Sequence, residues 1–227
     1  MNLSKEQVAR MIDISAVKSD SSVNEVNAIV KAAKEHRFIC VYTLPSLTPL
    51  AKKLLIGEKD IYLGGTVGFP SGASSTSTKL FEAEELLRLG CNELDMVINI
   101  GKLRSKLYAD VENDIKKIVE VAGVIPVKVI LEVTLLTETE IHDGAKLILE
   151  SGARFVKTGT GWNGATSFEH IISIKKAVGE KIALKVSGGV RNLDVLLKMY
   201  NMGVSRFGIG HLAAINIMKE INKNGEG

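Results

Sequence analysis

Short apolar runs alternate with amphipathic helical segments along the chain, and this alternation restricts the fold more than any other feature of the sequence. Strands that alternate with helices pair in parallel. Eight strands in 227 residues leave about 28 residues for each unit, which predicts a compact (β/α)8 TIM barrel. An open doubly wound sheet is the second possibility, but no G-x-G-x-x-G turn follows the first run. The runs are Ile12–Ile14, Ile39–Tyr42, Ile61–Val67, Leu94–Ile98, Val127–Val133, Phe155–Lys157, Ile182–Val186 and Arg206–Ile209.

Local signals predict where several helices begin and end. A Ser or Thr followed three residues later by Glu is a capping box, which starts a helix. Gly90, Gly152 and Gly203 each precede an apolar run and predict left-handed helix ends. No Pro, Gly or Ser-rich linker divides the chain, so residues 1–227 are predicted to form a single barrel domain. The capping pairs are Ser22 with Glu25, Thr137 with Glu140, and Thr166 with Glu169.

Composition and charge argue against several classes of protein. The chain has 29 Lys and Arg against 26 Asp and Glu, and its net charge of +3 is too small to predict a nucleic-acid partner. No apolar stretch of about 18 residues predicts a membrane span, and the polar start lacks the pattern of a secretory signal. Two cysteines cannot form a disulfide scaffold. These observations predict a cytoplasmic protein.

Charged residues interrupt strands that should be apolar on both faces. In the run from Glu93 to Asn99, Leu94, Met96 and Ile98 form one face, while Glu93, Asp95, Val97 and Asn99 form the other. In a barrel the apolar face packs on helices and the second face points inward. The same parity turns Lys128, Glu132, Lys157 and Lys185 inward. The sequence therefore predicts three lysines and at least two carboxylates, Asp95 and Glu132, in one interior.

Two interpretations of these interior charges remain open. They can form a structural network, because buried charges are normally paired. Alternatively, Lys157 and Lys185 are catalytic, since Gly-rich loops follow them at the face where barrel active sites lie. A lysine attacks a carbonyl only when neutral, and burial and a nearby cation both lower its pKa. Two lysines and a proton-carrying carboxylate thus favour imine chemistry that makes or breaks a C–C bond.

The motifs around these lysines resemble those of the deoxyribose-phosphate aldolase family. The resemblance covers about residues 13–210, and the lysine motifs are specific when found together in this order. The segments that carry it are Glu93–Gly101, Phe155–Thr158, Lys185–Arg191, Gly68–Pro70, Leu135–Thr137 and Pro49–Lys52.

The resemblance implies a class I aldolase that reversibly cleaves 2-deoxyribose 5-phosphate to glyceraldehyde 3-phosphate and acetaldehyde. It implies that Lys157 forms the imine, Lys185 perturbs Lys157, and Asp95 relays protons. It implies no metal or organic cofactor, and a homodimer is also predicted. The histidines lack metal-ligand spacing, so a zinc-dependent aldolase is not predicted. The residues expected around the substrate are Asp13, Lys128, Thr160, Gly161, Gly188, Gly189, Gly208, Gly210 and His211.

The last apolar run departs from the family pattern. The family usually has Gly-x-Ser-Ser there, which binds phosphate, whereas this chain has Gly208-Ile209-Gly210-His211. The amides of Gly188 and Gly189, which precede a predicted helix, remain a second phosphate-binding element. Two alternatives therefore stay open: a related aldolase that acts on a different or unphosphorylated sugar, and a catalytically idle barrel that binds a sugar phosphate.

Overall fold

Eight parallel strands form a closed barrel in the computed structural model, which describes residues 3–224. The strand order is β1 to β8, and β8 pairs with β1 to close the barrel. This confirms the predicted (β/α)8 architecture, in which helices cover the outside. The strands are β1 (Ile12–Ala16), β2 (Cys40–Thr43), β3 (Tyr62–Val67), β4 (Glu93–Val97), β5 (Val127–Ile130), β6 (Phe155–Lys157), β7 (Ala183–Ser187) and β8 (Arg206–Gly210).

Helices connect the strands and bury the outward face of the barrel. Outward residues such as Ile14, Leu94 and Val186 are fully buried against them, which removes apolar surface from water and stabilises the fold. Within the described residues, no helix is both long enough and apolar enough to cross a membrane. The helices are α1 (Lys5–Ala9), α2 (Val23–His36), α3 (Thr48–Leu54), α4 (Thr76–Leu89), α5 (Ile100–Arg104), α6 (Tyr108–Ala122), α7 (Glu138–Glu150), α8 (Phe168–Val178), α9 (Leu193–Asn201) and α10 (His211–Asn224).

Most of the predicted helix boundaries agree with the structure. Ser22 caps α2, and Thr137 forms a reciprocal capping box with Glu140 at α7. Gly90, Gly152 and Gly203 all have the positive φ expected after a helix.

The prediction that Thr166 caps a helix is wrong by one residue. Ser167 caps α8 and forms the capping box with His170. Thr166 is buried, and its hydroxyl instead lies 2.9 Å from the carbonyl oxygen of Ser187. The Thr166 hydroxyl thus binds the end of β7 and is not available to cap the helix.

The predicted extent of the fifth strand is also wrong. β5 ends at Ile130, and Glu132 has a left-handed backbone with a φ of 57°. A short 3-10 helix, Val133–Leu135, follows at once. Glu132 is buried as expected, but it lies beyond the strand end, and its carboxylate binds Thr160 and not the interior lysines.

Candidate active site

Strand parity places seven charged side chains inside the barrel, and we call them the interior charge cluster. Each lies at an inward position of its strand and is at least nine-tenths buried. Three are acidic and four are basic, so one cation is in excess if all are ionised. The cluster consists of Asp13, Glu93, Asp95, Lys128, Lys157, Lys185 and Arg206.

Asp95 is the centre of the cluster. Its Oδ2 accepts hydrogen bonds from Nζ of Lys157 at 2.7 Å and from Nζ of Lys185 at 2.6 Å. Its Oδ1 lies 3.6 Å from Nζ of Lys128. The register explains this convergence, since Asp95 pairs with Lys128 on β5, and Lys157 pairs with Lys185. The structure therefore brings together the residues predicted to be catalytic.

Arg206 neutralises the remaining acids of the cluster. Its guanidinium donates to Oδ1 of Asp13 and to both carboxylate oxygens of Glu93, at 3.1 and 2.8 Å. The guanidinium is planar and presents donors in a fixed fork, which suits it to bridging two carboxylates. Glu93 also accepts from Lys128 at 2.5 Å, and Lys185 lies 2.6 Å from Oδ2 of Asp13.

Lys157 is the cation with the least compensation in the cluster. Its pKa is lowered to about 8, chiefly by burial; Asp95 raises the pKa and so opposes this effect, while the positive charge of Lys185 adds to the lowering. A substantial fraction of Lys157 is therefore neutral near pH 8. A neutral amine is the form that attacks a carbonyl.

The two neighbours of Lys157 are both charged: Lys185 is a cation and Asp95 is an anion. Burial opposes ionisation of both, yet Asp13 and Asp95 raise the pKa of Lys185 above its ordinary value. Lys157 and Lys185 together hold the pKa of Asp95 well below its usual range. The site thus combines a neutral amine with a fixed ammonium and a fixed carboxylate, a separation typical of acid–base sites.

Tyr42 is a member of this site that the sequence analysis missed. Its hydroxyl donates to Oδ1 of Asp95 at 2.7 Å and accepts from Lys128 at 2.8 Å. Nζ of Lys185 lies 4.2 Å from the centroid of its ring. Gly64 provides the space, because a Cβ there would come within 2.3 Å of the ring. The signal was its inward parity on β2, between the outward residues Val41 and Thr43.

A cavity of about 590 Å³ opens at the C-terminal ends of the strands. We call its outer rim, which is lined by Gly188, Gly189, Gly210 and His211, the mouth. Lys157 and Lys185 lie on the cavity wall, whereas Asp95 lies behind them and does not line it. Lys128, which was also expected around the substrate, does not line the cavity either. Its ammonium group is fully buried between Glu93 and Tyr42.

The other predicted substrate residues all line the cavity. Gly188 and Gly189 have φ values of 87° and 90°, a conformation that favours glycine. A Cβ at either position would also approach its neighbours to 2.7 Å. Side chains are thus excluded there, and the backbone itself forms the wall. The predicted substrate residues that line the cavity are Asp13, Thr160, Gly161, Gly188, Gly189, Gly208, Gly210 and His211.

Glu132 and Trp162 hold the loop that follows β6. The Glu132 carboxylate accepts from the amide of Thr160 at 3.2 Å and from its hydroxyl at 2.5 Å. The Thr160 hydroxyl in turn accepts from the Trp162 amide, and the indole Nε1 of Trp162 donates to the carbonyl of Val17. The Thr160 hydroxyl is therefore used within the loop, and Trp162 fastens the loop to the segment after β1.

Asp13, Cys40 and Glu93 place their potential ligand atoms within 4.8 Å of one another. Arg206, however, donates hydrogen bonds to both carboxylates and brings a positive charge to this point. Burial and the nearby carboxylates also raise the pKa of the Cys40 thiol well above its ordinary value, which keeps it protonated. A protonated thiol is a poor metal ligand, so this group is better described as part of the interior charge cluster.

Comparisons with known proteins agree with this geometry. Residues 8–219 match the family described as DeoC/LacD family aldolase. Deoxyribose-phosphate aldolase of Rhizobium meliloti (strain 1021) is 41% identical over 96% of this chain and 89% of its own length. That of Coprothermobacter proteolyticus is 40% identical over 95% and 98% of the two chains.

Solved structures show the same relationship. The aldolase QR15 has a TM-score of 0.89 at 32% identity, covering 96% of this chain and 97% of its own. The tetrameric deoxyribose phosphate aldolase of Aeropyrum pernix has a TM-score of 0.84 at 25% identity, covering 97% and 93%. The chain therefore belongs to the DeoC/LacD family of aldolases.

Proposed function

We propose that this aldolase reversibly cleaves 2-deoxyribose 5-phosphate to glyceraldehyde 3-phosphate and acetaldehyde through an imine on Lys157. The observation that carries the proposal is a buried lysine with a pKa of about 8, on the wall of the cavity. It lies within hydrogen-bond distance of a carboxylate that a second lysine also binds. A sugar-binding barrel without chemistry does not require an amine held close to neutrality.

The reaction begins when neutral Lys157 attacks C1 of the open-chain sugar. A new C–N bond forms, the carbonyl oxygen leaves as water, and a protonated imine results. When the C3 hydroxyl loses its proton, C3 becomes a carbonyl and the C2–C3 bond breaks. The electron pair of that bond forms a C1–C2 double bond, and the imine π electrons move onto nitrogen. This step releases glyceraldehyde 3-phosphate and leaves an enamine. Protonation of C2 followed by attack of water then releases acetaldehyde and regenerates the amine.

Asp95 and Lys185 handle the protons in this scheme. Asp95 Oδ2 accepts from Nζ of both Lys157 and Lys185, so it connects the reacting nitrogen to the fixed cation. The positive charge of Lys185 favours the neutral form of Lys157 before the attack. Tyr42 and Lys128 are positioning residues, because they bind the Oδ1 side of Asp95 and leave Oδ2 directed at the lysines.

The phosphate of the substrate is proposed to bind at the mouth. Gly188 and Gly189 present main-chain atoms there, ahead of α9, and glycine-rich turns before helices are frequent phosphate sites. Arg191 and His211 also line the cavity. Lys157 lies deeper inside, so a substrate anchored by its phosphate extends its carbonyl toward the amine.

Reductive trapping tests the proposal directly. Borohydride reduction in the presence of acetaldehyde is expected to add an ethyl group to the peptide that carries Lys157. Lys157→Met should remove this adduct and lower cleavage of 2-deoxyribose 5-phosphate by about 10⁴-fold or more. Lys181→Met, at an exposed position before β7, is the matched control and should change neither. An adduct on Lys128 or Lys185 with Lys157 unmodified would contradict the assignment.

Assembly and location are separate proposals. A homodimer in the cytoplasm remains our prediction, and the Aeropyrum pernix relative is described as a tetramer. Light scattering on the purified protein measures the number of chains. A monomer or a tetramer would replace the predicted dimer.

A further inference from the structure

Ser187 carries a hydroxyl that the proposed mechanism does not use. The residue is the last of β7, lies two positions beyond Lys185 on the same inward face, and lines the cavity. It is 5% exposed. Among the described residues, no hydrogen-bond partner is found for its Oγ. An unpartnered buried hydroxyl is unfavourable in a folded protein and therefore needs an explanation.

The backbone of Ser187 is held firmly although its side chain is not. Its amide donates to Oγ1 of Thr158 at 3.1 Å, and its carbonyl accepts from Oγ1 of Thr166 at 2.9 Å. Thr158 and Thr166 are themselves buried, and Oγ1 of Thr166 donates to Oγ1 of Thr158 at 2.7 Å. These contacts fix the direction of the Cα–Cβ bond before any ligand arrives, so rotation about that bond is the only freedom left to the hydroxyl.

Gly208 keeps the space around this hydroxyl open. It pairs with Ser187 across β7 and β8, and a Cβ at Gly208 would lie 2.1 Å from Ser187 Oγ and 3.5 Å from Cε of Lys185. The hydroxyl therefore occupies the place inside the barrel that a side chain at 208 would take. Gly208 was expected at the phosphate, but its position beside Lys185 indicates a role nearer the reacting carbons.

The location of Ser187 identifies which part of a substrate it would meet. Lys157 pairs with Lys185, and Gly188 follows Ser187 directly at the mouth. A substrate that reaches from Lys157 to a phosphate near Gly188 passes Ser187 with its middle carbons. In the proposed reaction those carbons carry hydroxyl groups.

We propose that the Ser187 hydroxyl hydrogen-bonds the substrate hydroxyl next to the acceptor carbonyl, and so selects α-hydroxyaldehydes as acceptors. This inference rests on the proposed aldolase function and adds a specificity-determining residue to it. A site built to hydrogen-bond a hydroxyl discriminates against an analogue in which a methyl group replaces it.

The test compares two acceptors of similar size in the addition of acetaldehyde. Glycolaldehyde has the α-hydroxyl, and propanal has a methyl group in its place. The parent protein is expected to prefer glycolaldehyde in kcat/KM, and Ser187→Ala should reduce that preference about tenfold. Gly208→Ala should reduce it as well, because it crowds the same hydroxyl. Ser173→Ala, at a buried serine on α8, is the matched control and should leave the preference unchanged.

Several outcomes would overturn the inference. They are a parent protein without preference, an unchanged preference in Ser187→Ala, or an equal loss for both acceptors. Borohydride trapping of acetaldehyde on Lys157 in Ser187→Ala shows that the variant is folded and still forms the imine. If the parent fails to cleave 2-deoxyribose 5-phosphate but shows the acceptor preference, the proposed substrate is wrong and the role of Ser187 stands. A parent that uses neither acceptor overturns both.

Discussion

In the interior charge cluster, the Arg206 side chain binds the carboxylates of Asp13 and Glu93, whereas at the mouth Gly188 and Gly189 present only backbone. The cluster is almost completely buried, and each member has a charged partner close by. The mouth is open and relies on loops. Chemistry that needs fixed charge states is therefore placed in the barrel interior, while recognition of the substrate's far end is left to segments that can vary without disturbing it.

Replacing Lys185 by Leu should have the largest effect, and this effect should come from the interior charge cluster and not from the mouth. We expect cleavage to fall about 10³-fold, because Asp95 loses its second cation. The positive charge of Lys185 lowers the pKa of Lys157, so its removal raises that pKa above about 8. The pH at which activity rises should then move upward. A profile and rate identical to those of the parent would make Lys185 structural, and Lys185→Arg is a control that keeps the charge.

Asp95→Asn tests the same cluster, but it should shift the pKa of Lys157 in the opposite direction from Lys185→Leu. We expect turnover to fall about 10²-fold, the usual contribution of a positioned acid–base group. Because Asp95 raises the pKa of Lys157, its neutralisation should lower that pKa further, and the rise in activity should move to lower pH. Thermal unfolding is measured in parallel. A lower Tm with near-normal turnover would show that Asp95 only balances the lysines.

Tyr42→Phe removes a hydroxyl from the cluster while the ring keeps its place against Gly64. We expect kcat to fall about tenfold with little change in KM, because Asp95 loses a charge-assisted hydrogen bond. Lys128 keeps Glu93 as a partner, so the fold should persist. Tyr62→Phe, at the exposed start of β3, is the control. Unchanged kcat with a reduced Tm would assign Tyr42 to stability alone.

The smallest effect is expected at the mouth. Changing both Gly210 and His211 to Ser supplies the two hydroxyls that the family pattern has, and Gly210 has room because no atom lies within 4 Å of a Cβ there. We expect the preference for 2-deoxyribose 5-phosphate over 2-deoxyribose to increase roughly three- to tenfold. If the parent already prefers the phosphate strongly and the variant gains nothing, the departure from the family pattern is neutral. Cleavage of neither sugar, with Lys157 still trapped by acetaldehyde, would favour a different substrate.

The interior was more predictable from the sequence than the mouth. Charged residues are conspicuous in strands of a parallel barrel, so alternation alone places Asp95, Lys157 and Lys185 inside. Arg206 and Tyr42 have the same parity but escaped notice. Arg206 opens its strand and resembles a boundary residue, and Tyr42 is compatible with an apolar strand.

The loops were less predictable because their contacts are long-range. Glu132 follows β5 in the chain, but its partner Thr160 is 28 residues away, and strand parity does not continue into a left-handed residue. Thr166 has the sequence of a helix cap, yet its hydroxyl donates to the carbonyl of Ser187. In both cases a tertiary hydrogen bond prevails over a local pattern.

The pairing of β1 with β8 gives the order in which the protein can become reactive during its synthesis. Asp13 emerges early, whereas Arg206, its partner, follows 193 residues later. Contacts of such sequence separation are slow to form, since a long loop must close first. Until β8 arrives, Asp13 and Glu93 lack Arg206. Burial is the main cause of the lowered pKa of Lys157, so the environment that adjusts this amine is complete only when β8 has paired with β1 and closed the barrel.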